Sequence, residues 1–96
     1  MHAAAVRLEL RIKEARSLKA KRSILKKVSS MLATKFGVSV SEVDHQDLWQ
    51  RATLGVALVA PQAGHLERVI HGVQRSLLTH DDVELIEMAV SYLEEQ

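Results

Sequence analysis

The chain has 96 residues, with no cysteine, one proline, four glycines, and a single Phe, Trp and Tyr. Without cysteine there is no disulfide framework, no thiolate zinc or iron–sulfur site and no cysteine nucleophile. The scarcity of Gly and Pro, beside 47% hydrophobic and 26% charged residues, excludes fibrous and disordered classes. No apolar run approaches the roughly 20 residues that a membrane helix needs. Met1 to Ile12 alternates polar and apolar residues where a signal peptide would carry an apolar h-region. The expectation is one domain over residues 1–96, cytoplasmic and off the membrane. Glycine-rich phosphate loops and the G-x-S-x-G elbow are also absent.

The net charge of +1 conceals an asymmetry. Residues 1–36 hold ten Lys/Arg and two acids, whereas residues 37–96 hold three Lys/Arg and ten acids. A basic segment of this density points to an anionic partner, provided that folding does not interleave the two halves.

Apolar periodicity then orders the chain. Val6, Leu8, Leu10 and Ile12 alternate with Arg7, Glu9 and Arg11, which predicts a half-buried strand. From Ser17 to Phe36 the period becomes helical through Leu18, Leu25, Val28, Leu32 and Phe36, with Ser17 placed to cap the start and Gly37 the end. Val38 and Val40 open a short strand whose flanking charges, Glu42 and Asp44, suit an exposed edge. Ala52 to Ala60 predicts a third strand, stopped by Pro61. Leu66, Val69, Ile70, Val73 and Leu77 predict a second amphipathic helix. Val83 to Leu93 predicts a last strand, whose alternation slips between Leu85 and Ile86, as at a bulge or in a strand buried on both sides.

The order βαββαβ, with short right-handed connections, predicts an α+β ferredoxin-like plait: a four-stranded antiparallel sheet with two helices on one face. The other face stays bare. Gly55, Ala57 and Val59 would line it with apolar residues of the last strand such as Met88, Val90 and Tyr92, and a surface of that kind predicts self-association.

Three groups of residues carry candidate chemistry. Lys19, Arg22 and Lys26 form a cationic ridge on the first helix, with Lys27 further round and Lys13 and Arg16 in the loop leading in. Such a ridge can track phosphates or serve as a solvated helix face. Lys21 stands in the row Leu18–Lys21–Leu25–Val28–Leu32, where a core side chain is expected. It must snorkel to water or meet Asp44, Asp47 or a bound anion. The loop Asp44, His45, Gln46, Asp47, Leu48, Trp49, Gln50, Arg51 gathers stacking, charged and hydrogen-bonding groups on one connection. There Trp49 stacks on a base, folds back on the sheet or fills a subunit interface, and Arg51 holds a phosphate or carboxylate. His45 with Asp44 and Asp47 matches no usual metal spacing, and His65 and His71 do not share a helix face, so no metal, no cofactor and no catalytic residue is assigned.

Three stretches resemble the YlxP-like family of small bacterial proteins, a domain of unknown function. They are Ala15-Arg16-Ser17-Leu18-Lys19 with Lys21-Arg22, then Phe36-Gly37-Val38-Ser39-Val40, and Glu42-Val43-Asp44-His45-Gln46-Asp47-Leu48-Trp49-Gln50-Arg51-Ala52. The resemblance covers nearly the whole length. It departs at Ala20, where the family often has Glu, so the second half of a capping box with Ser17 is missing. The resemblance implies a ferredoxin-like fold and homodimers. It also implies genes lying among those for transcription, translation initiation and ribosome maturation, which favours RNA as the anionic partner.

Together these readings give a non-catalytic RNA- or ribosome-associated binding protein. Arg16, Lys19, Arg22, Lys26 and Lys27 bind phosphate, and the Trp49 loop supplies stacking and shape. No aromatic pair sits on the central strands, so a stacking sheet is not the mode of binding. Two alternatives stay open: an assembly module for an acidic protein surface, and a small ligand-binding domain or enzyme using Lys21 and the Asp44–Arg51 loop.

Overall fold

The computed structural model describes residues 1–94. The element order is β1 (His2–Ile12), α1 (Leu18–Phe36), β2 (Ser39–Asp44), β3 (Arg51–Ala60), α2 (Ala63–Leu78) and β4 (Val83–Glu94). The four strands form one antiparallel sheet in the order β2-β3-β1-β4. Both helices cover one face, so the fold is the ferredoxin-like α+β plait that the apolar periodicity predicts. Leu8, Leu10, Ile12, Leu54 and Val56 of the central strands meet Leu25, Val28 and Leu32 of α1 and Leu66, Ile70, Val73 and Leu77 of α2 in a single core.

Local chemistry sets the helix limits. The Ser17 hydroxyl accepts from the Ala20 N–H at 3.0 Å, and with Ala at position 20 no reciprocal carboxylate completes the cap. Gly37 ends α1 with φ +66 and donates its N–H to Ala33, a left-handed position that glycine adopts without steric cost.

Two bulges decide which side chains reach which face. In β4 the pairing steps from Glu9↔Glu87 to Leu10↔Leu85, leaving Ile86 as the extra residue. The slipped alternation is therefore a bulge, and β4 is not buried on both sides. This register also corrects the expected composition of the bare face. Met88, Val90 and Tyr92 pair with Leu8, Val6 and Ala4 on the helix side, and Glu87, Ala89, Ser91 and Leu93 take the open side. On the helix side, hydrogen bonding of the Tyr92 hydroxyl toward the Glu67 carboxylate, then burial, then the carboxylate charge push the Tyr92 pKa up.

The second bulge, at Val43 in β2, lies between the pairs Glu42↔Leu54 and Asp44↔Thr53. Glu42 lies on the helix side by regular alternation with Val40, and the bulge turns both Val43 and Asp44 to the open face. Gly55 fits beneath Val43, because a Cβ there would stand 3.0 Å from Val43 Cγ1.

Glu42 meets Lys21. The Lys21 side chain is 1% exposed, so it neither snorkels nor reaches Asp44 or Asp47. Its ammonium lies 2.9 Å from Glu42 Oε2 and donates to the His45 carbonyl at 2.5 Å. The enclosed Oε2 has no aligned hydrogen-bond donor among the described residues, so its contact with the ammonium is held by charge. Burying a cation is tolerable only with such partners. The pair ties α1 to the edge strand β2 and to the first residue of the loop that follows.

The two partners are unequal, because the Glu42 side chain is 24% exposed and can turn to water while the ammonium cannot. In urea denaturation Glu42→Leu is expected to cost about 3 kcal/mol and Lys21→Met less than about 1.5 kcal/mol. The double variant is expected to recover most of the Glu42→Leu loss, a non-additivity that closes the cycle. A second test uses the single tyrosine. Its phenolate absorbance is expected to appear at higher pH than in free tyrosine, and Glu67→Gln to bring that midpoint down.

Candidate functional site

The helical layer carries the positive charge. Within α1, which holds no acidic residue, Lys19, Arg22 and Lys26 fall within about 60° of helical arc. They are exposed, as are Lys27 on the same helix and Arg16 just before it. Among the described residues none of these five has an ion-pair partner. α2 adds the exposed Arg68 and Arg75 on the same side of the sheet, and its one acid is Glu67.

No described carboxylate of the acidic half pairs with these five cations. Two of its carboxylates pair on the open sheet face, Glu84 with Arg11 at 2.7 Å and Asp44 with Arg7 at 3.6 Å, and Arg7 also meets Glu9 of β1 at 3.1 Å. Glu42 pairs with buried Lys21 beneath α1. The described acids of the helical layer are Glu42 and Glu67, whereas the open sheet face carries charges of both signs.

The β2–β3 loop is brought to the start of α1. The Gln50 carbonyl accepts from the Ile12 N–H at 2.9 Å, and the Gln50 amide reaches the Ala15 carbonyl at 3.4 Å. Trp49 and Arg16 are the chain neighbours of these bonded residues, so the single tryptophan stands at the same end as the basic ridge. Trp49 is 52% exposed and does not fold back on the sheet. With Asp47, Leu48, Gln50 and Arg51 it lines a shallow depression of about 440 Å³. Arg51, at the first position of β3, is exposed there, and Gln46 is exposed without a bonded partner among the described residues.

His45 is where the loop turns. It has φ +62, a conformation rare outside glycine, and its N–H donates to the Asp44 carboxylate at 2.8 Å. Its carbonyl takes Lys21, while its ring faces the other way, with Nε2 3.9 Å from Glu9. Thr53, fully buried, donates to the same Glu9 oxygen at 2.7 Å. Arg7, Glu9, Asp44, His45 and Thr53 thus form a charged network at one end of the open sheet face. Arg7, Glu9 and Thr53 escape a reading of the sequence, because only the β1–β3 register sets Glu9 opposite Thr53. Lys21, His45 and Asp44 are consumed by these contacts and do not converge with Asp47, Trp49 and Arg51. Among the described residues no group of three His, Asp or Glu is placed to hold a metal ion.

The middle of the open face is lined by small side chains, alanines and serines. Ala5, Ala57, Gly55, Ala89, Ser39, Ser41 and Ser91 floor a depression of about 550 Å³, with Arg7 and Val43 on its rim. No Phe, Trp or Tyr among the described residues points to this face, and the His45 imidazole stands at its end beside Glu9. No helix among the described residues is long and apolar enough to cross a membrane.

Comparison with known proteins agrees with this architecture. The chain is 37% identical over 83 residues to the uncharacterized protein YlxP of Bacillus subtilis, an alignment covering 86% of this chain and 87% of that one. In three dimensions it is similar to the de novo designed protein Foldit4, with a TM-score of 0.55, 12% identity and coverage of 98% of this chain and 99% of the other. That second likeness concerns the fold alone. A family model described as a protein of unknown function (DUF503) matches residues 3–90, and the chain belongs to that family.

Proposed function

We propose that this protein is a non-catalytic RNA- or ribosome-associated binding protein whose contact surface is the exposed face of α1. The observation that carries the reading is that Arg16, Lys19, Arg22, Lys26 and Lys27 are exposed together and unpaired to any described carboxylate, on a helix without acids. A cluster of unpaired cations raises the local anion concentration and releases counterions from a polyanion on contact. The open sheet face, with its ion pairs and without Phe, Trp or Tyr among the described residues, is less suited to that task.

We also infer that the protein acts as a homodimer, with a second copy covering the open sheet face. Val59 is 69% and Leu93 65% exposed there, next to Ala3, Ala5 and Ala57, and this apolar end adjoins the network of alternating Arg and Glu side chains. A surface with both an apolar patch and charges of both signs can meet a copy of itself across a two-fold axis.

Binding to fluorescent structured RNA is expected to weaken linearly in log K against log salt, with a slope of about −0.7 to −0.9 per phosphate met. A folded Lys19→Ala/Arg22→Ala/Lys26→Ala variant is expected to lose most of that affinity and slope. Absence of binding by the wild type at low salt would remove the reading and direct the search to acidic protein partners. For the dimer, sedimentation equilibrium is expected to give twice the chain mass for the wild type and the chain mass for Val59→Glu.

A further inference from the structure

The basic ridge and Trp49 are different kinds of contact, and the fold sets them end to end. Along the exposed face of α1 the ligating groups are Arg16, Lys19, Arg22, Lys26 and Lys27, interspersed with exposed Ser23 and Ser30. That face presents no aromatic and no amide side chain, and its row of flexible cations is suited first to holding phosphates. A surface limited to phosphate contacts favours the ligand with the densest phosphates, which is a duplex, whose charges per unit length are twice those of one strand. α2 widens the same layer with exposed Arg68 and Arg75.

At the N-terminal end of the ridge this changes abruptly. The bonds from Gln50 to Ile12 and Ala15 anchor the loop beside Arg16, and they hold the one exposed tryptophan next to a shallow recess that also contains Leu48, Arg51 and Asp47. One indole stacks one base, and a base is free to stack only where it is unpaired. Asp47 can accept from an exocyclic amine at that site, and Arg51 can hold the adjoining phosphate.

We infer that the preferred ligand is RNA at a junction, a paired stem lying along α1 and α2 with an unpaired nucleotide beside it on Trp49. The inference rests on the proposed RNA-binding reading and specifies its ligand.

Four RNAs of equal length separate the possibilities: a single strand, a blunt duplex, and duplexes with a short 5′ or 3′ unpaired overhang. They are titrated against the full chain and followed both by anisotropy and by the fluorescence of Trp49, the single tryptophan. Expected are about tenfold tighter binding of one overhang duplex than of the blunt duplex, the gain from one stacked base, and quenching of Trp49 by that RNA alone. Trp49→Ala should lower the affinity for the overhang duplex to that for the blunt duplex, while Trp49→Phe retains part of the preference. Equal affinity for blunt and overhang duplexes without quenching overturns the junction, as does tighter binding of the single strand, and both leave the RNA reading standing. Failure of all four RNAs to bind at low salt removes the RNA reading and the junction together.

Discussion

The Lys21 ammonium is the one cation of α1 that folding takes out of water, and its surroundings fix the parts of the molecule that matter for binding. It needs a carboxylate and a carbonyl within reach, and they come from Glu42 and His45, on two different parts of the β2–β3 segment. Glu42 arrives because it alternates in phase with Val40 on the helix side of β2, and the His45 carbonyl arrives where its residue turns left-handed. One buried charge therefore settles how α1 sits over the edge strand and where the following loop begins. An apolar residue at position 21 would pack as well or better, but it would specify none of this geometry.

The loop reaches its place by a second set of bonds, from Gln50 to the end of β1 and to Ala15. Between His45 and Gln50 the chain is held at both ends, and it displays Trp49 next to the start of the basic ridge. On the other side of the sheet the His45 ring joins Glu9, Thr53, Arg7 and Asp44. The same residue thus bridges the two faces, with its backbone serving the core and its ring the open surface. That division lets the sheet face keep the acids beside Arg7 and Arg11 while the helical layer stays positive.

Much of the fold can be read from local patterns. Strand alternation, the helical rows, Ser17 and Gly37 at the helix ends and the slipped phase at Ile86 all act over a few residues, and each is found where the pattern places it. What escapes is non-local. Glu42 reads as an edge charge because nothing near it in sequence shows that it faces a lysine 21 positions earlier. The side of the sheet taken by Met88, Val90 and Tyr92 depends on a register that the Ile86 bulge shifts. Glu9 looks like an ordinary exposed strand residue until pairing sets Thr53 beside it. The candidate site divides in the same way: the cationic ridge follows from helical spacing alone, but the neighbourhood of Trp49 and Arg16 follows from two hydrogen bonds across the fold.

The central claim is that the two faces have separate roles, with the helical layer meeting a polyanion and the open sheet meeting protein. Amide chemical-shift mapping with a structured RNA tests it most directly. The account predicts shifts concentrated at Arg16, Lys19, Arg22, Lys26, Lys27 and Trp49, with Ala5, Gly55, Ala57 and Val59 unmoved. Shifts centred on those sheet residues, with α1 silent, would contradict it.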